Sequence, residues 1–267
     1  MDWTRNITLK SAAEIEIMRE AGRINAEALA LVRSLVKPGV TTLELDQAAE
    51  SFIRSQGGIP AFKGYPGPYP FPATITVSIN DELVHGIPKK RRLQEGDIVS
   101  IDCGTIYKNY VADSAFSMGV GQISAEAAKL LDVTEQALYA GIARMRPGNR
   151  IGDVSAEIQT YVEKHGYYVT REYTGHGVGR NMHEGPTVPN FGPPRRGLPL
   201  RPGMTIALEP MVLIGTARTR VLPDQWTVAS ADGSLTAHFE HSVLVTQDEP
   251  LILTFSEKTG RDFRYTV

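Results

Sequence analysis

The stretch DIVSIDCGTIYKNYVADS, from Asp97 to Ser114, predicts two short apolar strands joined by a turn near Tyr107, Lys108 and Asn109. Strand side chains alternate, so Ile98, Ser100 and Asp102 share one face and Val99, Ile101 and Cys103 the other. A hairpin folded symmetrically about Tyr107 and Lys108 sets Asp102 opposite Asp113 on one face. Two carboxylates that close in an apolar sheet repel each other and lose hydration. They require a shared proton, a basic partner or a metal ion.

Upstream of this hairpin the sequence reads as helix. Ser11 and Glu14 form a capping box, and Ile15, Met18, Ile24, Ala28, Leu31 and Leu35 keep helical spacing until Lys37, Pro38 and Gly39. Thr41 and Glu44 form a second capping box, opening a helix to about Gln56 that ends at Gly57 and Gly58. A loop rich in glycine, proline and aromatics runs from Pro60 to Pro72. An alternating strand over Thr74 to Ile79, a turn at Asn80 and Asp81, and His85-Gly-Ile-Pro88 follow.

The same order returns after Ser124, with a helix to about Met145 stopped by Arg146, Pro147 and Gly148, then another ending near His165 and Gly166. Gly39 to Gly57 and Gly148 to Gly166 each span 18 positions, and Gly96 and Gly203 each precede an acid, Asp102 and Glu209, by six. The offsets, 109 and 107, argue for a duplicated α/β half with both copies presenting acids to a shared centre. No linker divides the copies, so one domain over residues 11–255 is expected, with halves of about 11–123 and 124–255. Residues 1–10 read as an N-terminal extension and 256–267 as a polar C-terminal tail.

The second half carries His176 and His183 in a glycine-rich loop, Glu209 in IALEPM, and an Asp232-Gly233 hairpin turn before LTAHFEHSVLV, an apolar strand that contains Glu240. Asp102, Asp113, Glu209 and Glu240 thus lie in apolar strands that hold no lysine or arginine. Two divalent cations would balance four carboxylates. Oxygen-rich ligation with one imidazole suits Mn, Fe, Co or Zn, and paired ions lower the pKa of a bridging water, which is hydrolase chemistry.

From about Ser11 to Thr254 the chain resembles the methionine aminopeptidases of the short bacterial type I, which have the creatinase-like pita-bread fold. The motifs are HGIP (His85 to Pro88), aspartates eleven apart, GHGVGR with HE-x-P (Gly175 to Pro186), PGM-x-x-x-x-EPM (Pro202 to Met211) and FEH (Phe239 to His241). The resemblance implies an α+β fold of two pseudo-symmetric halves, whose curved antiparallel sheet encloses a dinuclear metal site. It implies that Asp113 and Glu240 bridge the metals, that Asp102 completes one site, and that His176 and Glu209 complete the other. His85 would hold the scissile amide nitrogen and His183 the carbonyl oxygen, with Glu209 as proton shuttle. The methionine pocket would comprise Phe62, Tyr65, Thr76, Met182 and Trp226. Phe62, Thr76 and Met182 stand where some relatives have Cys, Cys and Phe, Val111 where many have His, and the loop from Pro66 to Pro72 is about three residues longer. Tyr69 is expected to stand in for a missing aromatic.

Composition narrows the alternatives. The 267 residues are 42% apolar with a formal net charge of −2, which gives ample core and no global pull toward DNA or membrane. Met1 is not followed by a leader pattern and no apolar run approaches a membrane span, so a soluble cytoplasmic protein is expected. Cys103, the single cysteine, excludes an internal disulfide and reads as a small buried hydrophobe. The expected partners are nascent polypeptide N-termini. The basic run Lys89 to Arg92 reads as a solvated loop or, functionally, as a patch that sits near ribosomal RNA.

A proline-specific peptidase of the same fold would share the five ligands but usually carries a large N-terminal domain. A non-catalytic, nucleic-acid-associated relative would lose ligands that are all present here. No N-terminal Cys/His zinc region is seen, and the 32 residues between His176 and Glu209 are too few for the helical insert of the long type.

Overall fold

A computed structural model describes residues 7–256 of the chain. Helices α1 (Ala12–Leu35) and α2 (Thr42–Ser55) precede strands β1 (Ile59–Pro60), β2 (Ile75–Ile79), β3 (Glu82–Val84), β4 (Ile98–Tyr107) and β5 (Tyr110–Gly119). Helices α3 (Ala125–Ala143) and α4 (Ile151–Lys164) follow, then β6 (Tyr168–Val169), β7 (Thr174–Gly177), β8 (Glu184–Pro189), β9 (Thr205–Leu208) and β10 (Met211–Leu213). The last strands are β11 (Thr219–Val221), β12 (Val228–Ser230), β13 (Thr236–His238), β14 (Glu240–Leu244) and β15 (Leu251–Ile252). Both capping boxes form, Ser11 with Glu14 and Thr41 with Glu44. No helix among the described residues is long and apolar enough to cross a membrane.

The large sheet is antiparallel, in the order β1-β4-β5-β14-β9-β7-β8, with β2 also on β4 and β15 on β14. Its centre is near-symmetric: β2, β4 and β5 on one side answer β7, β9 and β14 on the other. The helix pairs and the repeated glycines obey the same symmetry. Gly39 and Gly148 have φ of 91° and 95°, Gly57 and Gly166 76° and 85°, and Gly96 and Gly203 88° and 91°, all in the region closed to most side chains. The echo in the sequence is therefore a pair of equivalent backbone turns. This is an α+β architecture of two pseudo-symmetric halves around one antiparallel sheet, as the pita-bread resemblance implies.

The main core lies between the four helices and the large sheet. Ile24, Ala28 and Val32 of α1 and Leu45, Ala49 and Ile53 of α2 meet Val99, Ile101 and Cys103, while Leu130, Val133, Ala137 and Ile158 of α3 and α4 meet Ile206, Leu208 and Val243. Cys103 is fully buried there, as its small apolar character predicts. Because alternate residues of β4 fill this core, Ser100, Asp102 and Gly104 face the other side.

The hairpin register differs from the symmetric fold expected about Tyr107 and Lys108. Lys108 and Asn109 both have positive φ (46° and 64°) and form a two-residue turn whose twist matches the strands. Tyr107 then pairs with Tyr110, Asp102 with Ala115 and Asp113 with Gly104. The aspartates remain on one face, but as diagonal neighbours.

Three further stretches are drawn into tertiary contacts that the local sequence does not show. The turn at Asp232 and Gly233 is real, with Gly233 at φ 78°, but it joins no hairpin. Strand β12 pairs with β11 and β3, whereas β13 pairs with β10, and the run LTAHFEHSVLV breaks at Phe239 into strands of two different sheets. Lys10, placed in the N-terminal extension from sequence, is buried and ion-pairs with Glu184 at 2.7 Å. Ser256 is likewise buried and donates to Glu27 Oε1. The rest of the expected extension and tail, residues 1–6 and 257–267, lies outside the described residues.

Candidate active site

The polar face of the hairpin opens into a cavity of about 150 Å³ lined by all twelve site residues anticipated from sequence and by Phe71. Asp102 and Asp113 reach it from β4 and β5, Glu240 from the start of β14 and Glu209 from the residue after β9. His176 sits on strand β7, not in a loop as its glycine neighbours suggested. Those glycines serve close strand packing: a Cβ on Gly175 would stand 2.7 Å from Ala207 O, and one on Gly177 2.1 Å from Gly185 O. The loop proper runs from Val178 to His183. Lys10 and Glu184 anchor it, with Asn181 N–H donating to Glu184 Oε1 and Val111 N–H donating to Gly179 O.

Burial governs the electrostatics. Desolvation, then the charges of Asp113 and Glu209, push Asp102 well up, and burial brings Asp113 to about 7 against a hydrogen bond from Asp102. Glu209 and Glu240 are raised for the same reasons, burial first and the neighbouring acids second. Burial acts oppositely on imidazole and brings His176 to about 3 and His85 to about 4, so both are neutral at pH 7. His176 Nε2 stands 3.5 Å from Glu209 Oε1 and 3.8 Å from Asp113 Oδ2.

A cation fits this set. Asp102 Oδ1, Asp113 Oδ1 and Glu240 Oε1 are buried without a hydrogen bond, and buried carboxylate oxygens are normally satisfied. Ligand atoms of Asp113, His176 and Glu240 lie within 4.8 Å of one another. Hard oxygens with a neutral imidazole make a donor set for a divalent transition ion.

The two outlying histidines are held differently. His183 lies against His176, ring centroids 4.2 Å apart, and its Nδ1 is 2.6 Å from Tyr65 Oη. Burial raises the Tyr65 phenol and lowers His183, so the phenol donates to Nδ1 and Nε2 carries the ring proton. His85 adopts φ 61°, rare for a residue with a Cβ, and its ring meets Tyr173 and Trp226 edge-on.

The other end of the cavity is apolar. Phe62, Tyr65, Thr76 and Met182 are joined by Phe71, which packs edge-on to Trp226 at 5.2 Å. Phe71, not Tyr69, supplies the extra aromatic. Tyr69 is exposed and instead ties the long loop to the Trp226 turn, with Trp226 Nε1–H donating to Tyr69 O and the Tyr69 hydroxyl to Asp224 O. Sequence also missed Gly104, whose added Cβ would lie 2.4 Å from Met182 Cε and 2.9 Å from Phe62. The absence of a side chain there was its only signal. The other omission is His238, buried with Nε2 3.5 Å from Glu209 Oε2; its signal was the two-residue spacing to Glu240.

Residues 16–247 match the metallopeptidase family M24. The chain belongs to this family. A methionine aminopeptidase of Clostridium acetobutylicum is 50% identical over 252 residues, covering 94% of this chain and 100% of the relative. A solved methionine aminopeptidase of Thermotoga maritima superposes with TM-score 0.91 at 43% identity, over 94% of this chain and all of that one. A prolidase of Pyrococcus furiosus, 22% identical with TM-score 0.75, shares the fold, and this chain covers 65% of it. The M24 chain is thus an enzyme scaffold with an acidic, metal-competent centre.

Proposed function

We propose that the protein removes the initiator methionine from nascent proteins and peptides. One observation carries the reading: a single cavity joins five metal-competent side chains, four of them buried and Glu209 mostly so, to an apolar pocket of Phe62, Tyr65, Phe71, Met182 and Trp226. Two divalent ions, of Mn, Fe, Co or Zn, would be held by Asp102, Asp113, His176, Glu209 and Glu240. When bound, they supply Lewis acidity and make water nucleophilic near neutral pH.

The remaining work falls to side chains. A substrate's free α-amino group meets the acidic end, so only its first residue reaches the slot and only the first peptide bond lies beside the carboxylates. Glu209 takes a proton from the attacking water and passes it to the leaving amine. His183 donates Nε2–H to the carbonyl oxygen as charge develops there, its tautomer fixed by Tyr65. His85, neutral and fixed between Tyr173 and Trp226, holds the scissile amide nitrogen. Phe62, Tyr65, Phe71, Met182 and Trp226 wrap a flexible thioether, and burial of a charged first side chain costs several kcal/mol.

The cytoplasm, where nascent chains arise, is the place of action in this reading. Lys89 to Arg92 are exposed beside the start of α2, Arg91 pairing with Glu82, and form the patch proposed to approach the ribosome. Metal-reconstituted protein should cleave Met-Ala-Ser and its norleucine analogue at similar kcat/KM, Leu-Ala-Ser far less, and Lys-Ala-Ser or Gly-Pro peptides negligibly. A preference for either of the last two would remove the methionine assignment. Cosedimentation with ribosomes that survives neutralisation of all four basic residues would remove the patch.

A further inference from the structure

Glu209 is flanked by two imidazoles. Its Oε1 faces His176 Nε2 and its Oε2 faces His238 Nε2, each at 3.5 Å. His238 is 2% exposed, and its Nε2 is buried without a hydrogen-bond partner. The backbone around both residues is fixed. His238 N–H donates to Ser117 Oγ at 2.9 Å, the Ser117 hydroxyl donates to His238 O at 2.8 Å, and His238 pairs with Met211, two residues beyond Glu209.

We infer that His238 positions Glu209, donating Nε2–H to Oε2 so that Oε1 stays turned to the cation shared with His176; this rests on the reading of Glu209 as a metal ligand. A gap of 3.5 Å exceeds a formed N–H···O bond, so the inference requires the pair to shorten by a few tenths of an ångström, to about 3.2 Å or less. Ligating carboxylates are oriented by such outer hydrogen bonds. The competing role is direct ligation, since atoms of Glu209, His238 and Glu240 lie within 4.8 Å of one another. Placement favours positioning: Glu209 and Glu240 line the cavity, whereas His238 does not.

The test is cobalt(II) titration of the full chain by calorimetry and visible absorption, with kinetics on Met-Ala-Ser. His238→Ala should bind cobalt about 10- to 100-fold more weakly at one site, with the parent's stoichiometry and spectrum at saturation. Its kcat should fall by a similar factor at near-constant KM. His238→Gln, whose amide can donate to the same oxygen, should restore affinity and kcat to within about threefold of the parent. Should the alanine variant fail to fold, His238→Leu, which fills the space without a donor, takes its place. Parent-like affinity and kcat in the donor-free variant would overturn the inference. Loss of one cobalt equivalent in both the glutamine and donor-free variants would overturn it in favour of ligation. Unchanged cobalt binding in Glu209→Ala would instead remove the ligand reading beneath it.

Discussion

The two halves of the molecule deliver their acids by unequal routes. In the first, β4 and β5 are joined by two residues, and Asp102 and Asp113 arrive together on one hairpin. In the second, the equivalent strands β9 and β14 are separated by residues 209–239, which leave the large sheet, build β10 to β13 and return. That excursion carries Trp226 into the apolar slot and His238 beside Glu209. The symmetric strands thus gather charge, and the excursion adds one wall of the slot and a neighbour for Glu209.

If that division holds, removing an acid from either half should be equally damaging. Asp113→Ala and Glu240→Ala should each lower kcat/KM on Met-Ala-Ser by about 10³-fold or more, the several kcal/mol that metal-assisted catalysis supplies. Exhaustive chelation should do the same to the parent. Elemental analysis alongside the kinetics decides it: full activity in verified metal-free protein, or a large effect in one half only, would break the comparison.

Charge gathered by burial also has a pH signature. Asp113 is raised from 3.8 to about 7, so between about pH 4 and 7 the folded metal-free chain keeps a proton that the unfolded chain has lost. Its contribution to stability therefore declines as pH rises through that window. The same proton competes with a cation, whereas His176, at about 3, is already neutral and has none to give up. Proton release on metal binding should be greater at pH 5.5 than at pH 8, and apparent affinity should rise with pH across that window, since Asp102, Glu209 and Glu240 are raised as well. Calorimetry in buffers of different ionisation enthalpy measures both.

His183 belongs to neither acid set and should separate catalysis from binding. His183→Ala should lower kcat on the order of 10²-fold with metal content unchanged, because its hydrogen bond strengthens only as charge develops. Tyr65→Phe, which keeps the ring and deletes the hydroxyl that fixes the tautomer, should cost about tenfold in kcat. A metal deficit in His183→Ala would make it a ligand.

What was legible in the sequence follows the same division. The acids, the capped helices and the repeated glycines stand out because each requires a specific residue type at a specific spacing. The hairpin register is hidden in the sequence because Lys-Asn lacks the glycine that advertises a two-residue turn, although both residues adopt positive φ. The supposed Asp232-Gly233 hairpin failed because strand partners are chosen by the whole fold, which no local turn reveals. Lys10 reads as part of an extension because its partner, Glu184, is remote in sequence. Phe71 and Gly104 escaped notice because one is an ordinary aromatic and the other a side chain that is absent.

Gly104 offers the finest test of the boundary between the two parts. It lies directly opposite Asp113, yet the space above it belongs to the slot, where an added Cβ would meet Met182 Cε at 2.4 Å and both Ala61 and Phe62 at 2.9 Å. The methionine terminus can swing away, but the Ala61 and Phe62 contacts yield less, so the slot must narrow. Gly104→Ala should therefore bind metal like the parent and lose about tenfold in kcat/KM for Met-Ala-Ser, chiefly through KM, as expected for 1 to 3 kcal/mol of pocket discrimination. A smaller first residue should suffer less, so the ratio of Met-Ala-Ser to Ala-Ala-Ser cleavage should fall. If metal affinity drops instead while that ratio is unchanged, the β4–β5 face cannot be divided between charge and selectivity.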